Sequence, residues 1–142
     1  MKPSEPARVS ASVEIEIQFY DLDSVNIVWH GNYAKYLEQA RCALLEKFNY
    51  NYDAMRASGY IWPIIDLHVR YIKPLKFKQR IVVDAFLREW EYRLKIDYLI
   101  RDAQTNVRLT KATTIQVAVD ASTGELCLMS PSILLEKLGV DS

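Results

Sequence analysis

The sequence predicts an α+β domain in which one long helix covers an antiparallel sheet, and two observations carry that prediction. Apolar residues recur at spacings of three and four over one extended stretch, Asn32 to Phe48, whereas the chain beyond Gly59 is dominated by β-branched and aromatic runs separated by short turns. Strands with one apolar face need a cover, and the long helix is the element large enough to supply it. At 142 residues, 50% hydrophobic and 25% charged, the chain has the length and balance of one globular domain.

Val13, Ile15, Ile17 and Phe19 alternate with Glu14, Glu16, Gln18 and Tyr20, the period-two pattern of a strand with one buried face. The pattern gives way over Asp21 to Asn26, where Asp, Ser and Asn favour turns. From Asn32 the period lengthens: Tyr33, Tyr36, Leu37, Ala40, Leu44 and Phe48 share one helical stripe, with Gly31 or Asn32 as N-cap. A short helical turn is expected from Asp53 to Ala57, ahead of Gly59. Ile61 to Tyr71 reads as a strand with an irregular start at Pro63. Ile81 to Arg88, Arg93 to Arg101 and Val107 to Val119 read as further strands, with turns at Glu89 to Tyr92 and Ala103 to Asn106. A last helix should start at a Ser130 cap with Pro131 in its first position and end at Gly139.

Residues 1–11 read as a flexible polar tail and 12–142 as the folded domain. The tail lacks the apolar run of a signal peptide, and no later stretch approaches the ~20 apolar residues of a membrane span. The 18 basic and 18 acidic side chains cancel, so no global field recruits nucleic acid or an anionic membrane. An anionic ligand must be met by a local patch. Cys42 and Cys127 form no CxxC pair, and two histidines are too few for a metal cluster. A reduced, cytoplasmic protein without metal or organic cofactor fits best.

The chemistry gathers between Phe19 and Arg41, where two carboxylates, Asp21 and Asp23, precede His30 at a helix entrance. The first N–H groups of a helix lack internal partners and carry about half a unit of positive charge, so an oxyanion would be stabilised there. The pattern Asp21, Asp23, Val28, His30, Tyr33, Tyr36, Glu38, Ala40 and Arg41 resembles the motif of the hotdog-fold acyl-CoA thioesterases, in the branch of 4-hydroxybenzoyl-CoA thioesterase and the Tol-Pal-associated short-chain thioesterases. The element order extends the resemblance from about Val13 to Val140.

The resemblance implies a curved antiparallel sheet wrapped around the long helix, and hydrolysis of an acyl-CoA to a carboxylate and CoA. It implies that Asp23 is the catalytic carboxylate, acting as nucleophile or as general base toward water. It assigns the polarising backbone N–H to His30, whose imidazole could also hold water. Asp21, at the strand end, suits a structural hydrogen-bonding role. Where the family usually has Gly in the turn, this chain has Asn26, which places the turn's shape in question. Proteins of this family pair into homodimers or homotetramers with active sites between subunits.

Glu38 and Arg41, three apart on the helix, could pair with each other or across a subunit interface, and Glu38 is a reserve catalytic carboxylate because other hotdog branches use one on the helix. Tyr33 and Tyr36 are core or acyl-pocket walls. Arg70, Lys73, Lys76, Lys78 and Arg80 form the densest basic cluster, with Arg93 and Lys95 a second; Arg70, Lys73, Lys76 and Arg93 are the candidate contacts for CoA phosphates. His68 falls in a strand pattern. Two rivals share the fold: a hydroxyacyl thioester dehydratase, which would need a His and a carboxylate from different segments, and a noncatalytic acyl-CoA or acyl-carrier binding module.

Overall fold

Alternation sets the first strand slightly earlier than the apolar pattern suggests: in the computed structural model, which describes residues 7–140, β1 spans Ser10–Glu16. Of the expected 1–11 tail, residues 1–6 lie outside the described residues, and Ser10 and Ala11 already pair with Phe86 and Ala85. The strand also stops earlier. Ile17 is buried, but Phe19 is 71% exposed and belongs to a single 3-10 turn, Phe19–Asp21.

Three long strands follow later in the chain, β4 (Arg80–Glu89), β5 (Leu94–Asp102) and β6 (Arg108–Gln116), together with the earlier β3 (Ile64–Tyr71). With β1 they form an antiparallel sheet in the order β1-β4-β5-β6-β3. Register brings like faces together: Val83 lies opposite Val13 and Ile100, and Tyr98 opposite Ala85 and Ala112. These residues are buried or nearly so and form the concave side that receives the helix. The opposite face is polar, with Arg101 on Asp84 at 2.9 Å and Arg88 on Asp97 at 3.2 Å. Register irregularities in the β3–β6, β4–β5 and β5–β6 ladders mark the bulges that bend such a sheet.

The helix α1 runs Tyr33–Lys47 and buries Tyr33, Tyr36, Leu37, Ala40, Leu44 and Leu45 against β1 and β4. Spacings of three and four place these on one stripe. Truncating Leu37, which has no exposed surface, should cost about 3 kcal/mol through lost burial and the cavity left behind. A shorter α2 (Tyr52–Ala57) is capped by Asn51, whose side chain accepts the Ala54 N–H at 2.8 Å. Pro63 divides the expected single strand: β2 (Tyr60–Ile61) pairs instead with β7 (Val119–Asp120), and β3 begins after the break.

The last helix, α3 (Ser132–Leu138), starts two residues after Ser130 and ends at Gly139, whose φ of +69° needs a residue without a Cβ penalty. Pro131 occupies the cap position itself. Ser130 is therefore not the cap, and its hydroxyl is buried without a hydrogen bond.

The expected Glu38–Arg41 pair does not form. Arg41 is 7% exposed and turns inward, donating from Nε to the Tyr52 hydroxyl at 2.6 Å and from Nη1 to the Tyr98 hydroxyl at 3.3 Å, while Glu38 stays exposed. Its position on the buried stripe between Leu37 and Leu44 directs it there. Tyr98 also bonds Thr114 at 2.7 Å, and Gln116 bonds Tyr52 at 3.3 Å, so a polar layer ties α1 and α2 to β5 and β6.

Candidate active site

The segment between β1 and α1 closes on itself as a tight hairpin loop. Asp23 accepts the Asn26 N–H on its carbonyl at 3.2 Å and donates its own N–H to the Ile27 carbonyl at 2.8 Å, while Leu22 and Val28 form a bridge. This is a type I turn followed by a left-handed residue. That residue is Asn26, with φ of +64°, so asparagine fills the conformation that the resemblance gives to glycine. The Asp23 side chain accepts the Val25 N–H on Oδ1 at 2.8 Å, which fixes the carboxylate while leaving it only half-buried.

Asp21, two residues earlier, is 2% exposed and fully engaged. One carboxylate oxygen takes a salt bridge from Lys35 on α1, and the other accepts the Gln18 N–H at 3.0 Å. Its main-chain carbonyl accepts the Trp29 N–H at 3.0 Å and the Asn32 side chain at 2.8 Å. Burial raises the Asp21 pKa, but the Lys35 hydrogen bond and the Gln18 N–H outweigh burial and hold it below the ordinary value. The neighbouring Tyr36 hydroxyl is driven the other way, up, by burial and by its interaction with the Asp21 carboxylate. Asp21 therefore clamps the loop to the helix entrance.

Asn32 holds the expected N-cap position of α1, without a side-chain capping bond. His30–Asn32 form one 3-10 turn running directly into α1, and Asn32 spends its side chain on Asp21 instead of capping. The Tyr33 N–H bonds back to the His30 carbonyl. The N–H groups of His30 and Gly31 have no acceptor among the described residues, as the geometry of a helix start dictates. A side chain at Gly31 would displace the half-exposed Trp29 ring. The Trp29 indole lies so close that a Cβ at Gly31 would meet it at 2.3 Å.

Asp23 and His30 line one open cleft of about 300 Å³, together with Ile27, Val28, Tyr33, Tyr71, Ile72, Lys73 and Pro74. A carboxylate, the first residue of the helix entrance and apolar walls thus meet in one place. Four of the residues chosen from sequence, Asp23, His30, Tyr33 and Lys73, come together here. Arg70 and Lys76 are exposed outside the cleft.

Arg93 lies elsewhere in the chain's own sheet. It forms a fork on Glu89, 3.1 Å from each oxygen, beside Leu94 at the Ile64 end of the β3–β6–β5 array. Tyr71 marks the other end of β3, and the strand rise puts roughly 23 Å between them. Tyr71 and Ile72 have no signal in the sequence pattern. Sheet topology, not proximity in sequence, delivers them: Ile72 and Lys73 both donate to the Leu109 carbonyl at 3.0 Å, and Val28 donates to Leu75 at 2.9 Å, stitching the end of β3 to the loop.

Known proteins share this fold. Residues 17–137 match the model of the thioesterase-like superfamily. YneP of Bacillus subtilis (strain 168), named as a candidate acyl-CoA thioesterase, is 29% identical over 75% of this chain and 78% of its own. Among solved structures, DHNA-CoA thioesterase from Staphylococcus aureus aligns with a TM-score of 0.77 and 25% identity, covering 84% of this chain and 80% of that one. Slr0204 of Synechocystis, a 1,4-dihydroxy-2-naphthoyl-CoA thioesterase, aligns at 0.80 with 16% identity over 92% and 96%, a likeness of fold alone. No helix among the described residues is long and apolar enough to cross a membrane. With the sheet, the wrapped helix and the match running through the Asp23 loop to α3, the chain belongs to the thioesterase-like superfamily and is a thioester hydrolase on the hotdog fold.

Proposed function

We propose that this protein hydrolyses acyl-CoA thioesters to a carboxylate and free CoA, with Asp23 as the reacting carboxylate and the His30–Gly31 entrance of α1 as the oxyanion site. The observation that carries the reading is that the half-buried Asp23 and His30, the first residue of a helix start with unpaired N–H groups, line one cleft. The thioester carbonyl would lie against those donors. Asp23 then attacks the carbonyl carbon itself or takes a proton from an attacking water; in either case the C–S bond breaks, CoA leaves as the thiolate and water ends in the product carboxylate. Donors of this kind are worth about 100 to 1000-fold in turnover. The names of the relatives support CoA as the carrier. Lys73 at the cleft, with Arg70 and Lys76 outside it, supplies positive charge for the CoA phosphates. Cys42 and Cys127 are both free, which fits the reducing cytoplasm.

The working unit is a homodimer, or a dimer of such dimers. β3 is a sheet edge, and Ile64, Ile65 and Leu67 on it are 40%, 60% and 48% exposed. An edge of eight residues with this apolar content is a template for pairing. Two-fold antiparallel pairing would set the Ile64 end of one strand beside the Tyr71 end of the other, carrying the Arg93 end of one sheet toward the cleft of its neighbour.

A free-thiol assay over aliphatic and aromatic acyl-CoAs tests the chemistry. Thiol release by the wild type that is lost in Asp23→Asn is the expected result; release by Asp23→Asn at the wild-type rate would falsify the mechanism. Binding without thiol release would instead favour a noncatalytic module. Light scattering on Leu67→Glu tests the edge, with a monomer expected.

A further inference from the structure

We infer that Tyr71 is a positioning residue for the oxyanion site: from the sheet edge its hydroxyl holds the His30–Gly31 peptide in the orientation that presents the Gly31 N–H, the second of the two entrance donors, to the thioester. The inference rests on the reading of that entrance as the oxyanion site. Tyr71 ends β3, yet its hydroxyl donates to the His30 carbonyl at 3.1 Å across 41 positions of sequence. The same carbonyl accepts the Tyr33 N–H, so both of its lone pairs are occupied. A peptide unit is planar, with its C=O and N–H on opposite sides. Fixing the His30 carbonyl therefore fixes the direction of the Gly31 N–H.

Two further contacts make the hold a geometric one. The Tyr71 and Tyr33 rings meet edge to face, 4.7 Å between centroids and 83° apart, which sets the hydroxyl's reach. The Trp29 indole lies over Gly31, 2.3 Å from where a Cβ would stand. The entrance turn thus has an indole on Gly31 and a phenol on the His30 carbonyl, and the phenol belongs to the edge strand. A glycine at the turn supplies the close approach but no rigidity of its own. The Tyr71 hydroxyl supplies the restraint.

Tyr71→Phe removes the hydroxyl and keeps the ring. In the purified full-length protein, assayed with the wild type's best acyl-CoA, kcat should fall about ten-fold, the worth of one hydrogen bond, with KM within two-fold. A residue that merely shaped the cleft would move KM instead. The second readout needs no turnover: His30–Gly31 is the one His–Gly peptide in the sequence, so carbonyl-13C histidine with 15N glycine gives one NMR correlation from that bond. It should shift in both dimensions in Tyr71→Phe, against unchanged circular dichroism. An unmoved correlation, or wild-type kcat, overturns the inference. Loss of the reading itself has a separate signature, Asp23→Asn hydrolysing at the wild-type rate, so the two failures are told apart.

Discussion

Asp21 and Asp23 stand two residues apart in one loop, yet their surroundings are opposite. On the Asp21 side every acceptor is taken: Lys35, Gln18, Trp29 and Asn32 converge on it, and 2% of its surface is exposed. On the Asp23 side one backbone N–H holds the carboxylate, and the residue lines an open cleft together with His30 of the helix entrance. Burial with partners makes a carboxylate a structural anchor, whereas partial exposure with one restraint leaves lone pairs for chemistry. The loop divides its labour by that difference alone.

Neutralising each carboxylate separates the two roles. Asp23→Asn should lower kcat by about 100 to 10,000-fold, the span expected when a general base or nucleophile is lost. Its thermal midpoint should stay close to the wild type's, since one exposed turn bond is all that changes. Asp21→Asn should do the reverse. Losing the Lys35 pair while Lys35 is 46% exposed should cost about 2 kcal/mol, below a fully buried pair, with a fall of several degrees in Tm. A thiol-release assay beside a thermal melt on both variants checks the division; equal losses of activity at equal stability would erase it.

Acid sharpens the same contrast. The Asp21 carboxyl is held below its ordinary value of 3.8, so the unfolded chain binds its proton first as pH falls. Its stabilisation is complete above that ordinary value and disappears as pH drops through the lower folded one. The stability gap between wild type and Asp21→Asn should therefore stay constant from pH 7 to about 5 and close below about 4. Urea unfolding at stepped pH reads it directly, and a gap that widens in acid would reverse the assignment.

How much of this the chain discloses beforehand follows from which contacts are local. Asp23, His30 and the helix stripe lie within one run of sequence, so motif and periodicity reach them, and Tyr33 and Lys73 follow. Phe19 keeps the alternating pattern but leaves the sheet, because the 3-10 turn that delivers Asp21 to Lys35 overrides strand propensity. Tyr71 meets His30 only because five strands order themselves β1-β4-β5-β6-β3, a tertiary fact with no local trace. Arg93 lies away from the cleft of its own chain for the complementary reason: its charge is visible in sequence, but Glu89 four residues before it is the partner that the hairpin provides. Arg41 likewise passes over its helical neighbour Glu38 for two phenols that only folding brings near.

The smallest expected effect tests the turn beneath both carboxylates. Asn26 sits at φ of +64°, is exposed, and its side chain makes no hydrogen bond among the described residues, so tolerance of the left-handed region is what it contributes. Glycine takes that conformation freely but gives the unfolded chain more freedom, and the two terms nearly offset. Asn26→Gly should therefore change stability by less than about 0.5 kcal/mol and kcat by less than two-fold. Asn26→Ala, which keeps the Cβ but loses the polar side chain that eases the left-handed region, should lose about 1 kcal/mol. Urea midpoints for the two variants measure the difference. If Asn26→Ala is as stable as Asn26→Gly, the left-handed residue is not what shapes the turn, and the placing of Asp23 must come from Val28 on Leu75 instead.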